Sequence, residues 1–294
     1  MLTIVIQLFE ILAPVLICVC LGVFWVRMGE SFDTPMVTKL VTVIGTPALV
    51  FYALSTANLD KTLFMQMGLS AILAYSLFLV AGYLLLPVFG LSRQAFLQTL
   101  TFPNIGNVGL PLCYLAFGEQ GLALAIAFFV VFVMLQFTVG IALVSGGFSP
   151  RLLLTMPVIP ATMIAMVFLL TETAVPKWAL NSTKMIGDLT IPLMLFTLGV
   201  SLASLKLGNL RVSFGLASLR LILGFSVALL LVWLLGLRDE AAAVVILQCS
   251  MPVAVYVYLF AQLYEQRATE VAGVVIVSTL MSVVSLPLVL LYVL

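Results

Sequence analysis

The chain is 294 residues long, 64% hydrophobic and only 8% charged, with a mean hydropathy of +1.32. That composition excludes a soluble globule and places the bulk of the chain in a bilayer. A net charge of +1 without a basic tract excludes a nucleic-acid partner. The absence of histidine removes the usual proton relay, the commonest metal ligand and the histidine-activated nucleophiles.

With about 20 residues as the length of one membrane crossing, ten spans are predicted: 4–26, 35–57, 66–89, 94–117, 119–144, 151–171, 181–204, 213–236, 240–263 and 266–293. The first is read as a retained span, because no basic residue precedes it and it reaches Arg27 without an A-x-A cleavage site. Glu10 lies two turns into it and either snorkels or faces a cavity. The second carries Lys39 near its start and Tyr52, a polar group that faces the crossing or simply packs.

The fourth span contains FPNIGNVGLPL, Phe102 to Leu112, with Pro103 and Pro111 enclosing Gly106 and Gly109. Each proline removes a backbone donor and pushes on the carbonyl four residues earlier, so the helix is expected to break over residues 103 to 111. Unpaired backbone groups in lipid cost several kcal/mol each, so a break must be enclosed by protein or by a wet cavity. Asn104 and Asn107 supply amides inside this break. Glu119 follows it, and Gln136 in the fifth span faces the crossing or packs.

Pro14, Pro157 and Pro160 are read as plain kinks. In the seventh span Lys184 and Asp188 stand one turn apart as a pair or a charge carrier, and in the eighth Arg220 calls for an acidic partner or reaches the headgroups. The ninth span is interrupted in LQCSMPVAVYVY, Leu247 to Tyr258, where Gln248, Ser250 and Tyr256 surround Pro252. Cys18, Cys20, Cys113 and Cys249 all lie in apolar stretches and behave as small hydrophobes.

The spans repeat. TPALVFYAL at Thr46 to Leu54 resembles IPLMLFTLG at Ile191 to Gly199, an offset of 145 positions for both the proline and the phenylalanine. Lys39 and Lys184, and Arg93 and Arg238, keep that offset; the Glu-Gln pairs at 119 and 265 stand 146 apart, and Pro103 and Pro252 stand 149 apart. Two halves, 1–147 and 148–294, therefore read as duplicates of five spans each. An odd number of spans inverts the second copy relative to the first. The expected fold is an all-α polytopic membrane protein in which the broken helices 4 and 9 cross at the midplane. Counting lysine and arginine alone puts both termini on the non-cytoplasmic side.

Each break makes a new helix N-terminus with unpaired N–H groups and about half a positive charge. Two such ends converging form an anion site without any lysine or arginine. The candidate substrate-binding residues are Asn104, Ile105, Gly106, Asn107, Val108, Gln136, Ser250, Pro252, Val253, Ala254, Tyr256 and Tyr52, with Pro103, Pro111 and Pro252 breaking the helices.

FPNIGNVGLPL followed by Glu119-Gln120-Gly121, together with TPALVFYALS, IPLMLFTLGVSL and the ending ATEVAGVVIVSTLMSVVSLPLVLLYVL, resembles the auxin efflux carrier family in its short bacterial form, often labelled malonate or dicarboxylate permeases. The resemblance covers essentially the whole chain. It implies a multi-pass inner-membrane carrier of small organic anions, with a scaffold of spans 1, 2, 6 and 7 and a mobile domain of spans 3–5 and 8–10 moving as an elevator. It also implies that Asn104 to Val108 and Pro252 to Ala254 bind the anion. The fold is similar as well to the sodium and bile acid symporters, which use a carboxylate of the ninth span for sodium; residues 248–262 contain no Asp or Glu. Coupling to a proton, to sodium or to the membrane potential stays open, with Glu10, Asp188, Lys184 and Glu119 as the candidate carriers of charge. A homodimer and an anion channel stay open too, whereas no metal, cofactor or catalytic group is expected and no P-loop occurs.

Overall fold

A computed structural model describes residues 2–56, 61–140, 142, 156–171, 173–205 and 207–294, without the side chains of residues 2–5, 61, 169 and 170. The 147/148 boundary between the expected halves lies outside the described residues, as do Asn58, Arg151, Glu172 and Lys206 at expected junctions. Among the described residues every regular element is helical, apart from one antiparallel bridge between Pro103 and Val253. Lipid offers no partner to a backbone N–H or C=O, and a helix satisfies both within its own segment.

The helices in chain order are α1 Leu2–Arg27, α2 Thr34–Leu40, α3 Thr46–Thr56, α4 Lys61–Val88, α5 Arg93–Thr101, α6 Leu110–Leu135, α7 Val158–Thr171, α8 Lys177–Ser204, α9 Leu210–Leu235, α10 Asp239–Cys249, α11 Val255–Leu263 and α12 Ala268–Val293. Wider π turns at Val41–Gly45, Ile105–Gly109 and Gln136–Gly140 join α2 to α3 and flank α6. Side chains close several starts: Asp33 accepts the Met36 N–H at 2.9 Å before α2, and Asn209 accepts the Arg211 N–H at 3.0 Å before α9.

Among the described residues seven helical stretches are long and apolar enough to cross a membrane, against ten predicted spans. The difference has local causes. The fourth and ninth predicted spans are each split into short helices, α5 with the start of α6, and α10 with α11. The rest of the fourth span and the fifth form one stretch, Ile105–Gly140, bent at Gly118, whose φ of 63° suits only glycine. The sixth is described over 14 residues as α7.

α1 lies against α8 so closely that a Cβ on Gly22 would strike the Phe196 carbonyl, and one on Gly199 would strike the Val19 carbonyl. Close backbone approach through small residues is how helices associate in lipid, where no hydrophobic force separates side chain from solvent. α3 packs on α7 and α8; α4 packs on α6, and α9 on α12. An aromatic cluster around Phe132 of α6, with Tyr75 and Phe78 of α4, Phe102 and Phe128, lies directly beneath the first break.

Candidate functional site

α5 ends at Thr101 because the next turn would need the N–H that Pro103 lacks; Phe102 leaves helical geometry at φ −118° and ψ 87°. α10 ends at Cys249, with Pro252 three residues on. The two interruptions run antiparallel and pair. The Asn104 N–H donates to the Pro252 carbonyl at 2.7 Å, and the Ala254 N–H donates to the Phe102 carbonyl at 3.0 Å. Pro103 stands opposite Val253, whose own N–H donates to the Ser278 hydroxyl at 3.1 Å. Two of the backbone N–H groups and two of the carbonyls freed at the breaks thus satisfy one another across the crossing, as burial in a membrane favours.

Pro111 lies outside the break. Helical geometry resumes at Ile105, with the Asn104 carbonyl accepting from Val108 at 3.3 Å and from Gly109 at 3.1 Å. The Leu110 N–H reaches back five residues to Ile105, so the π turn carries the chain into α6 with Pro111 in its first turn, where a missing N–H is tolerated.

Beyond the paired segment, two helices start side by side. Among the described residues the N–H groups of Gly106 and Asn107, and those of Val255 and Tyr256, make no hydrogen bond, because the carbonyls four residues earlier are engaged elsewhere. The Asn104 side chain is only 3% exposed, and its Nδ2 has no partner. Residues Phe102 to Asn107, with Ala254 and Tyr256, form one wall of a cavity of about 400 Å³, faced by Thr38 and Thr42. Lys39 is the charged side chain on its lining. A second cavity of about 210 Å³ shares Thr38, Asn107, Met194 and Tyr256, and follows Thr197, Ser201 and Ser204 along one face of α8 to Thr34. Tyr256 bridges the two walls, its hydroxyl 3.1 Å from Thr42 Oγ1.

The remaining candidates separate from this group. Val108, Pro252 and Val253 are buried in the body of the crossing and hold its backbone. Ser250 opens on a different cavity, with Ser226 and Ser285. Gln136 is fully buried with neither amide atom partnered, and it lines neither cavity at the crossing. Tyr52 lines a third cavity, of about 310 Å³, with Tyr114, Glu119, Lys184 and Asp188. There the Lys184 ammonium is 3.3 Å from Asp188 and 5.0 Å from the centre of the Tyr52 ring. On α8 the two sides are lined by adjacent residues, Met194 toward the crossing and Leu195 toward the Lys184 cavity. Glu10 is exposed on α1, with no ion pair among the described residues.

Thr38, Thr42 and the α8 hydroxyls went unmarked in the sequence, although their spacing of three or four residues puts them on shared helix faces. Arg220 neither meets a carboxylate nor reaches the headgroups: it is completely buried and donates to carbonyls at the ends of α5 and α10. A family model described as a membrane transport protein matches residues 143–290, which include Arg220 and the second break. No curated protein matches the chain.

Proposed function

Because the chain belongs to the membrane transport protein family, that of the auxin efflux carriers, we propose that it is a secondary transporter of small organic anions whose substrate sits at the crossing of the two broken helices. The observation that carries this reading is the convergence of two helix starts, with four backbone N–H groups and the Asn104 amide nitrogen unpartnered among the described residues, beside adjoining cavities of about 400 and 210 Å³. Each helix start contributes about half a positive charge, and oriented N–H groups hold a carboxylate without the desolvation cost of a buried lysine. A cavity of that volume suits a molecule of several to a dozen heavy atoms, in keeping with a mono- or dicarboxylate.

Taking each broken pair as one crossing and Gly118 as a corner, the helices are compatible with ten crossings in two sets of five. The antiparallel pairing of matching breaks supports an inverted repeat. The same grouping supports an elevator. Residues of spans 1, 2, 6 and 7 on one side and of spans 4, 5 and 9 on the other line both cavity systems, in keeping with a scaffold of spans 1, 2, 6 and 7 and a mobile domain of spans 3–5 and 8–10. One opens by Thr34 and Ser204; the other lies by Lys184, about 30 Å along α8. Sliding the crossing from one cavity to the other would expose a bound anion on alternate sides. The lysine and arginine bias supports a reading in which both termini lie on the non-cytoplasmic face of a bacterial inner membrane.

The test is counterflow in proteoliposomes loaded with unlabelled malonate or succinate and presented with the labelled acid. A carrier accumulates label transiently and saturates with concentration. Flux that rises linearly without counterflow would assign a channel, and no flux with any mono- or dicarboxylate would overturn the substrate class.

A further inference from the structure

Arg220 is the only charged side chain among the described residues that is fully buried. Its guanidinium lies between the two broken helices on the side away from their starts. Nη1 donates to the Leu100 carbonyl at 2.7 Å, Nη2 to the Cys249 carbonyl at 2.6 Å, and Nε to the Met251 carbonyl at 3.4 Å. The Phe78 ring covers one face, 4.3 Å from the guanidinium carbon. No carboxylate among the described residues pairs with it. Gly224, one turn along α9, makes this approach feasible, since a Cβ there would run into the Cys249 carbonyl.

An isolated buried charge is strongly unfavourable unless hydrogen bonds and an opposite charge meet it. Here the opposite charge is the backbone itself. Leu100 lies in the last turn of α5 and Cys249 ends α10, so the guanidinium caps two helix C-termini. Each end carries about half a negative charge, together about one unit, which a single guanidinium offsets. In discontinuous-helix transporters, carbonyls at such ends hold the coupling cation.

We propose that Arg220 is a tethered cation filling a carbonyl-built cation site, and that it sets the geometry and positive bias of the anion site without a bound sodium ion. The proposal rests on the transport reading above and deepens it: the crossing keeps its two negative ends neutralised internally and offers only its two positive ends to substrate. Arg220 is a positioning residue, since its guanidinium touches backbone and not the cavity. Removing the side chain leaves three convergent carbonyls and room for a free guanidinium or an alkali cation.

The experiment compares purified full-length wild type, Arg220→Ala and Arg220→Lys by thermal unfolding. The salts are sodium, potassium, choline or methylguanidinium chloride at equal ionic strength, each with and without malonate and succinate. Wild type is expected to unfold at one temperature in sodium and choline, and its anion-induced rise is expected to be the same in both. Arg220→Ala is expected to unfold about 10 °C lower and to recover at least half of that loss in methylguanidinium or sodium but not in choline. Its anion response is expected to return with the same cations. A generally disruptive substitution would recover in none. Sodium dependence of the wild-type response, or an Arg220→Ala protein indifferent to every cation, overturns the proposal. Should Arg220→Ala fail to fold, the wild-type sodium arm still decides, together with Arg220→Lys, whose single ammonium is expected to keep the fold with a weakened anion response. Failure of the transport reading looks different: wild type shows no response to either acid, while cation recovery of the alanine variant persists.

Discussion

The two faces of the helix crossing are built from the same backbone and carry opposite tasks. On one face, the π turn Ile105–Gly109 and α11 start beside a cavity, and among the described residues the N–H groups of Gly106, Asn107, Val255 and Tyr256 and the Asn104 amide nitrogen lack partners. On the other, α5 and α10 end against Arg220, and three carbonyls are met by one guanidinium and closed over by Phe78. One face is left unsatisfied beside a cavity; its opposite is satisfied and sealed. On the transport reading proposed above, the contrast would give a site deep in a membrane its positive potential mainly from backbone, with Lys39 the charged side chain on the lining: the negative helix ends are met within the protein, and the positive ends remain for the ligand.

The sealed face should be the more fragile. Gly224→Val drives a branched side chain into the Cys249 carbonyl and displaces α9 together with Arg220. A loss of about 3 kcal/mol, or roughly 10 °C in unfolding temperature without ligand, is expected. Retention of wild-type stability would mean that α9 does not approach the break as closely as described.

The open face should respond in affinity instead. Asn104→Ala and Asn107→Ala remove side chains that hold nothing in the unliganded protein, so unfolding temperatures should stay near wild type. Binding of the transported acid, measured by calorimetry, should weaken by about 30-fold for the loss of a hydrogen bond to a charged group. Wild-type affinity in both variants would move the anion away from the crossing.

Tyr256→Phe breaks the 3.1 Å bond to Thr42, which ties the crossing to the facing wall. A shift of about 1 kcal/mol between the two cavity states is expected, seen as an altered exchange rate of up to about 5-fold. An unchanged rate would mean that this bond is kept throughout transport. Smallest of all is Lys184→Met. The pair with Asp188 is 44% and 60% exposed on its two sides, and exposed pairs contribute little. Neither the unfolding temperature nor the anion affinity should change measurably; a lost anion response would relocate the site to the Lys184 cavity.

Much of the crossing can be read in the sequence, because proline and glycine act through the backbone alone. Pro103 and Pro252 stop their helices whatever surrounds them, and the amides of Asn104 and Asn107 mark the first as polar. Pro111 reads as a third break only until the preceding π turn absorbs its missing donor, whereas the sharp corner falls at Gly118, where positive φ leaves no mark beyond the glycine itself. Gln136, Tyr52 and Ser250 show why polarity alone misplaces side chains. In an apolar helix no amphipathic stripe reports which face looks inward, and these three point to separate places. Arg220 is the clearest case of hidden information. Its partners are main-chain carbonyls from three positions up to 120 residues away, which no side-chain pattern encodes.

The most direct test is the distance from bound substrate to the two helix starts. Solid-state magnetic resonance on protein carrying nitrogen-15 glycine and asparagine, in lipid with carboxyl-carbon-13 malonate or whichever acid the flux assay selects, reads it atom by atom. Couplings to the Gly106 and Asn107 backbone nitrogens, assigned by substitution, are expected to correspond to about 4 Å or less, the reach of a carboxylate hydrogen-bonded to those N–H groups. A bound acid coupled to neither nitrogen would contradict an anion site made from the ends of broken helices.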